Sequence, residues 1–229
     1  MVTSAPAFRA PLLPRWVQLD LTEPVRQQLA DAVTRMVEEI DPAVREKLRD
    51  QLQEQLFTAM TALAADGVTT VFLPTENPAF AAAFPVLAVA PADFTVDGEQ
   101  MAPMDYLVGL IGAGNSTLIE PRDMVGVRTA TDRDSTAQLN STLGELPADL
   151  REAMNPQQLA RATGTTRLSR EIRYLIGVPE SEDRWLEVTA SLAVLRSEGS
   201  DELLEAITEF ADRWVETIEW VPEEGETNA

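Results

Sequence analysis

The side chains most often used for catalysis are missing from this chain. Its 229 residues include no histidine and no cysteine. Without histidine there is no imidazole base near neutral pH, no imidazole metal ligand and no Ser-His-Asp triad. Without cysteine there is no disulfide, thiolate zinc site, iron–sulfur cluster or thiol nucleophile. Three patterns remain that could carry chemistry. The run Val108-Gly109-Leu110-Ile111-Gly112-Ala113-Gly114-Asn115 imitates the strand and glycine turn of a dinucleotide-binding fold. Such a turn must lead into a helix whose N-terminus faces the pyrophosphate. Here Thr117 takes the third glycine position, and Thr117 to Glu120 before Pro121 reads as a strand and a break. The expectation is a flexible turn after a short buried segment, with no nucleotide. Asp132 and Asp134 place two carboxylates where a hard cation could sit. No further ligand follows at calcium-loop spacing and the central glycine is absent, which favours a solvated loop. Ser116, Ser169 and Ser191 have no base to activate them. The 38 acidic residues make many carboxylate pairs of the glycosidase kind, and nothing singles one out.

The charge balance is 38 acidic against 18 basic residues, a net of −20. A field of that sign repels nucleic acid and anionic membranes and suits a basic partner. Lys47 is the single lysine, which reads as coding bias from a GC-rich genome, with salt adaptation the alternative. The first 16 residues hold three prolines and no apolar core of a signal peptide. The most apolar stretch, Ala79 to Ala92, is too short for a membrane helix and is broken by Pro85 and Pro91. A cytoplasmic protein without cofactor or metal is expected.

The elements follow from periodicity. Val25, Leu29, Val33, Met36, Val37 and Ile40 recur at helical spacing behind Pro24, with Thr22 or Glu23 as cap. Asp41-Pro42 opens a second helix, with Asp41 as N-cap. Its stripe is Val44, Leu48, Leu52, Leu56, Met60 and Leu63, and Gly67 stops it. Val68 to Leu73, Pro85 to Val96 (bent at Pro91), Thr117 to Glu120 and Met124 to Thr131 read as strands, and Asp97-Gly98 as a turn. Met104 to Ile111 fits a short helix or a buried strand equally well. Residues 134–166, with Pro147 and Pro156 at helix starts, read as a mobile surface insertion. Ile172, Tyr174, Ile176 and Val178, and then Leu186, Val188, Ala190 and Leu192, alternate with polar neighbours on either side of Pro179 to Asp183, which is a hairpin with one buried face. Leu203, Ile207, Phe210, Trp214 and Ile218 form the stripe of a last helix, which Pro222 stops. Residues 1–15 are expected as a loose arm, 16–221 as one domain, and 222–229 as an acidic disordered tail. Runs of strands with helices at the ends make the fold class α+β: an antiparallel sheet flanked by two N-terminal helices and one C-terminal helix.

Tyr174-Leu175-Ile176-Gly177-Val178-Pro179, the strand from Trp185 to Leu192, Phe210-Ala211-Asp212 and Thr217-Ile218-Glu219-Trp220 resemble segments of uncharacterised actinobacterial α+β proteins. Ala64-Ala65-Asp66-Gly67 and the strand after it fit the same pattern, so the resemblance spans about Leu48 to Val221. Many of those proteins are encoded beside type VII secretion components, and they are distantly similar to the PsbP-like fold. The resemblance implies an accessory role near secretion.

The expected function is that of a non-enzymatic adaptor or chaperone-like protein whose partner is another protein with a basic surface, with self-association left open. The alternatives are a small-molecule binding domain, or an enzyme using only carboxylates or a bound metal. Trp185, at the start of a strand on its polar face, is the expected exposed contact for a partner. Trp214 and Trp220 are expected as core anchors.

Overall fold

The alternation around Tyr174 and Val188 builds the centre of the molecule. Strands β9 (Arg167–Gly177) and β10 (Trp185–Leu195) pair antiparallel over their full length, from Trp185 opposite Gly177 to Leu195 opposite Arg167. The computed structural model describes residues 6–38, 42–75, 85–114, 116–120, 124–137 and 166–221. Around the hairpin lies a seven-stranded sheet in the order β2-β3-β4-β10-β9-β8-β7, antiparallel at every step. Its other strands are β2 (Trp16–Asp20), β3 (Thr70–Pro74), β4 (Val86–Pro91), β7 (Ser116–Ile119) and β8 (Gly126–Asp134). The expected bend at Pro91 is instead the end of β4.

One face of the sheet is covered by α4 (Ser200–Val215). Gly199, at φ 84°, makes the left-handed entry, and Asp201 and Glu202 meet the positive end of the helix dipole. Leu204, Ile207, Ala211, Trp214 and Val215 are buried, while Leu203 and Phe210 are half-buried. The contact line is thus turned slightly from the expected stripe. Trp214 meets Phe72 edge-on, with ring centres 4.9 Å apart.

The opposite face is shared by two groups of helices. Over β2 to β4, α1 (Val25–Met36) and α2 (Pro42–Ala65) place Leu29 and Met60 against Leu19, Val71 and Leu73. The helix α1 has no side-chain cap, because its N-cap position is Pro24, whose side chain carries no acceptor; Thr22 bonds Asp20. Over β8 to β10 lies α3 (Pro103–Gly112), which settles the ambiguous apolar run as a helix. It follows the small hairpin of β5 (Thr95–Val96) and β6 (Glu99–Gln100). Asp97 and Gly98 both take positive φ there, as a tight two-residue turn demands. The fold is α+β, with helices on both faces of an antiparallel sheet.

The N-terminal segment departs from expectation. Strand β1 (Phe8–Arg9) pairs with β11 (Glu219–Trp220), and the Val221 amide donates to the Ala7 carbonyl. Phe8, Ala10 and Leu13 pack on the main core. Residues 6–15 are therefore not a loose arm: burying their apolar side chains beside Trp220 offsets the entropy of ordering them. Ile40, the Asp41 cap, the Val44 side chain, Pro121, residues 138–165 of the expected insertion and the tail from Pro222 onward lie outside the described residues. No described helix is long and apolar enough to cross a membrane.

Candidate functional site: an apolar helix beside an open strand edge

Three arginine–carboxylate clusters hold the layers together. Arg128 on β8 and Tyr174 opposite it on β9 both donate to Asp212 of α4, at 2.6 and 2.8 Å, each to a different carboxylate oxygen. Burial, and then the bond to Asp212, push the Tyr174 phenol well above its ordinary range. A phenol held so firmly protonated is a poor acid or base near neutral pH. A cleft of about 200 Å³ opens beside this trio, lined by Ile119, Glu120 and Glu216. Arg170 forks onto Asp132 at 2.7 and 3.0 Å, and its remaining nitrogen reaches Glu205 and Thr208. Asp132 thus sits on a strand in an ion pair, and its hydrogen bond from Arg170 holds its carboxyl below the usual range. Asp134 accepts from the Thr136 amide. The pair expected in a solvated loop is the end of β8. On the other face Arg173 donates to Tyr106 of α3 at 2.9 Å and to Glu187 at 2.6 Å. In each cluster the guanidinium is neutralised by carboxylates of the same chain, so the chemistry is that of fastening helices to a sheet. Among the described residues no group of three or more acidic side chains is placed to hold a metal ion.

Trp185, expected at the surface, is only 7% exposed. Its face of β10 was expected to be open because Glu187, Thr189 and Ser191 follow it at alternate positions. The first residue of that row is buried under α3, Glu187 and Thr189 are half-buried, and only Ser191 is exposed. Trp185 lies in a small core with Phe94, Leu107, Val127 and Leu175. Its ring stands edge-on to Phe94 at 5.8 Å, and its Nε1 donates to the Glu182 carbonyl. It supports the surface above it instead of making that surface. Trp214 is a core residue, as expected, while Trp220 is partly buried and packs against that core.

That surface is the outer side of α3, which the sequence reading did not single out. Met104, Val108 and Ile111 fall on one stripe of the helix and are 58%, 66% and 41% exposed. Pro103, Leu107 and Leu110 form a second stripe turned toward the sheet. A helix apolar on two flanks is one that expects a cover on both. Tyr106 lies on the flank that reaches Arg173 in the sheet's interior. At 100° per residue, Val108 lies about 200° round the helix from Tyr106, on the exposed flank. The edge strand β7 adds Leu118, 53% exposed, on the same face of the sheet as α3. Val125, just before β8, is exposed as well. The one available signal in the sequence was that a helical reading of Met104 to Ile111 leaves almost no polar side. Of the glycines of this run, Gly109 lies inside the helix, Gly112 ends it and Gly114 follows, and strand β7 comes next, so no helix N-terminus faces them.

Comparison of this chain with protein-family models, with curated proteins and with solved structures found no match.

Proposed function

We propose that this chain is a non-catalytic adaptor or chaperone-like accessory protein of the cytoplasm, which binds another protein through the face made by α3 and β7. The observation that carries the proposal is the exposed row Met104, Val108, Ile111 and Leu118. Grouped apolar side chains cost solubility, and soluble chains that keep them generally use them for contact. The acidic balance of the chain favours a partner with a basic surface over nucleic acid or an anionic membrane. The resemblance to secretion-linked actinobacterial proteins directs the search for that partner to the type VII secretion components.

The test is a photo-crosslinking amino acid placed at Val108, with Glu209, exposed on α4 across the sheet, as the control position, in the full chain inside the producing cell. A discrete protein adduct is expected from position 108, absent from position 209, and lost when Met104→Glu is added. The same set of adducts at both positions, or none at position 108, overturns the proposal. A second reading, small-molecule binding, is favoured by a concavity of about 550 Å³ at the far end of β8 and β9, which Thr131, Ser135, Ser169 and Ser191 line with hydroxyls.

A further inference from the structure

The two ends of the sheet are finished differently. On β2 the free edge is blunted. The Gln28 side chain accepts from the Asp20 amide and donates to the Asp20 carbonyl, both at 2.9 Å, and so satisfies the outward backbone groups of that residue. At the other end, β7 pairs with β8 alone among the described strands. Its register shows which groups are left open. The Gly177 amide bonds the Val125 carbonyl and the Ser135 amide bonds the Arg167 carbonyl, so the odd-numbered residues of β8 turn their backbone groups toward β9. The even-numbered ones, Gly126 and Arg128, turn theirs toward β7, where they stand opposite Ile119 and Thr117. By antiparallel alternation the amide and carbonyl of Ser116 and Leu118 then point away from the sheet. No described group bonds them. The strand carries no lysine, no proline and no charged side chain, which are the usual devices against edge pairing.

We propose, resting on the protein-binding reading above, that the partner binds by adding one extended strand to the outer edge of β7, and that this strand carries lysine or arginine between its apolar residues. The outward groups of Ser116 and Leu118 supply the backbone bonds. Apolar residues of the added strand lie beside Leu118 on the face where α3 turns Met104, Val108 and Ile111 outward. That combination, backbone ladder for affinity and alternate side chains for choice of sequence, is how strand addition selects a ligand. The charge requirement comes from the surroundings. From Pro103 on α3 to Glu120 just after β7 the sequence holds Asp105 and Glu120 and not one lysine or arginine. The described acids in this stretch are all exposed. A basic strand is drawn to this rim, whereas a second copy of the chain would bring the same acids face to face.

The probe is a synthetic peptide of about eight residues alternating lysine and valine, titrated against the full chain by fluorescence anisotropy, with hydrogen exchange read at Ser116 to Ile119. Saturable binding with slowed exchange at Ser116 and Leu118 is expected. A glutamate–valine peptide, and a lysine–valine peptide N-methylated at alternate amides, are each expected to bind at least about tenfold more weakly. Leu118→Pro is expected to weaken binding well beyond Leu118→Ala, since both lose the side chain and only proline loses the outward N–H. The N-methylated peptide makes the same comparison without touching the fold. Equal binding of the methylated peptide, or of Leu118→Pro and Leu118→Ala, overturns strand addition. If Val108→Asp still abolishes that binding, the docking face stands without the strand; if Val108→Asp is silent too, the protein-binding reading falls with it. A concentration-dependent dimer in sedimentation that protects the same four amides overturns the basic-partner assignment in favour of a second copy.

Discussion

Truncation of Trp185 tests how the candidate surface is held. Trp185→Ala removes an indole that is almost fully buried between the sheet and α3. An aromatic side chain of this size buries about 150–250 Å². At about 25 cal/mol per Å² that is about 4–6 kcal/mol as an upper bound, because the unfolded chain already hides part of the ring. The edge-on contact with Phe94 is lost as well, and the surrounding Leu107, Val127 and Leu175 close the cavity only in part. The Nε1 bond adds little, since Glu182 is exposed and its carbonyl can turn to water. The expected cost is about 3–5 kcal/mol, in the range measured for large aromatic deletions. Urea titration should show a lower midpoint at an unchanged slope. Hydrogen exchange in α3 should rise more than in α1, because Trp185 lies beneath one helix and not the other. A change below about 1 kcal/mol would mean that the indole is effectively exposed and does not anchor α3; the whole description of this face would then fail.

Other perturbations read other parts of the fold. Trp214→Ala should also cost about 3–5 kcal/mol, lowering the melting temperature by about 10 °C in thermal unfolding, because the ring is buried against Phe72 beneath α4. Gly126→Ala should cost about 1–3 kcal/mol by urea titration, since a Cβ there would stand 2.8 Å from the Leu175 carbonyl oxygen and the backbone must shift to admit it. Tyr174→Phe should cost about 1 kcal/mol at neutral pH, because Asp212 keeps its bond from Arg128. The phenol ionises later in the folded chain than in the unfolded one, so its contribution is complete below its ordinary value of 10 and is lost as pH rises beyond it. Urea midpoints at pH 8 and pH 11 should therefore fall further for the wild type than for Tyr174→Phe.

Much of the architecture is legible in local pattern because local pattern is made by the same burial that makes the sheet. Ile172, Tyr174 and Ile176 alternate because one side of β9 meets α4, and period two has no helical reading. The last helix is marked by its stripe and by the acids in its first turn, and the two N-terminal helices by their stripes alone. Strand order is a different kind of fact. Nothing near Val86 says that it will lie opposite Ser191, more than a hundred residues away, since that pairing depends on which surfaces remain after the hairpin and helices have formed. The docking of residues 6–15 on Trp220 is equally non-local.

The candidate site shows the same division. The sequence by itself settles that no imidazole or thiol chemistry is available and that Ala92 to Glu120 is acidic without a compensating base. It places Trp185 on the polar side of β10, and on that side the structure does put it. Whether that side is wet is decided by α3, which arrives from more than seventy residues earlier in the chain. The same packing decides which flank of α3 is hidden. Helical periodicity distinguishes apolar from polar sides, but Leu107 and Val108 are both apolar. Only the position of the sheet determines that one is buried and the other faces water, next to an edge strand whose open backbone groups no residue pattern can announce.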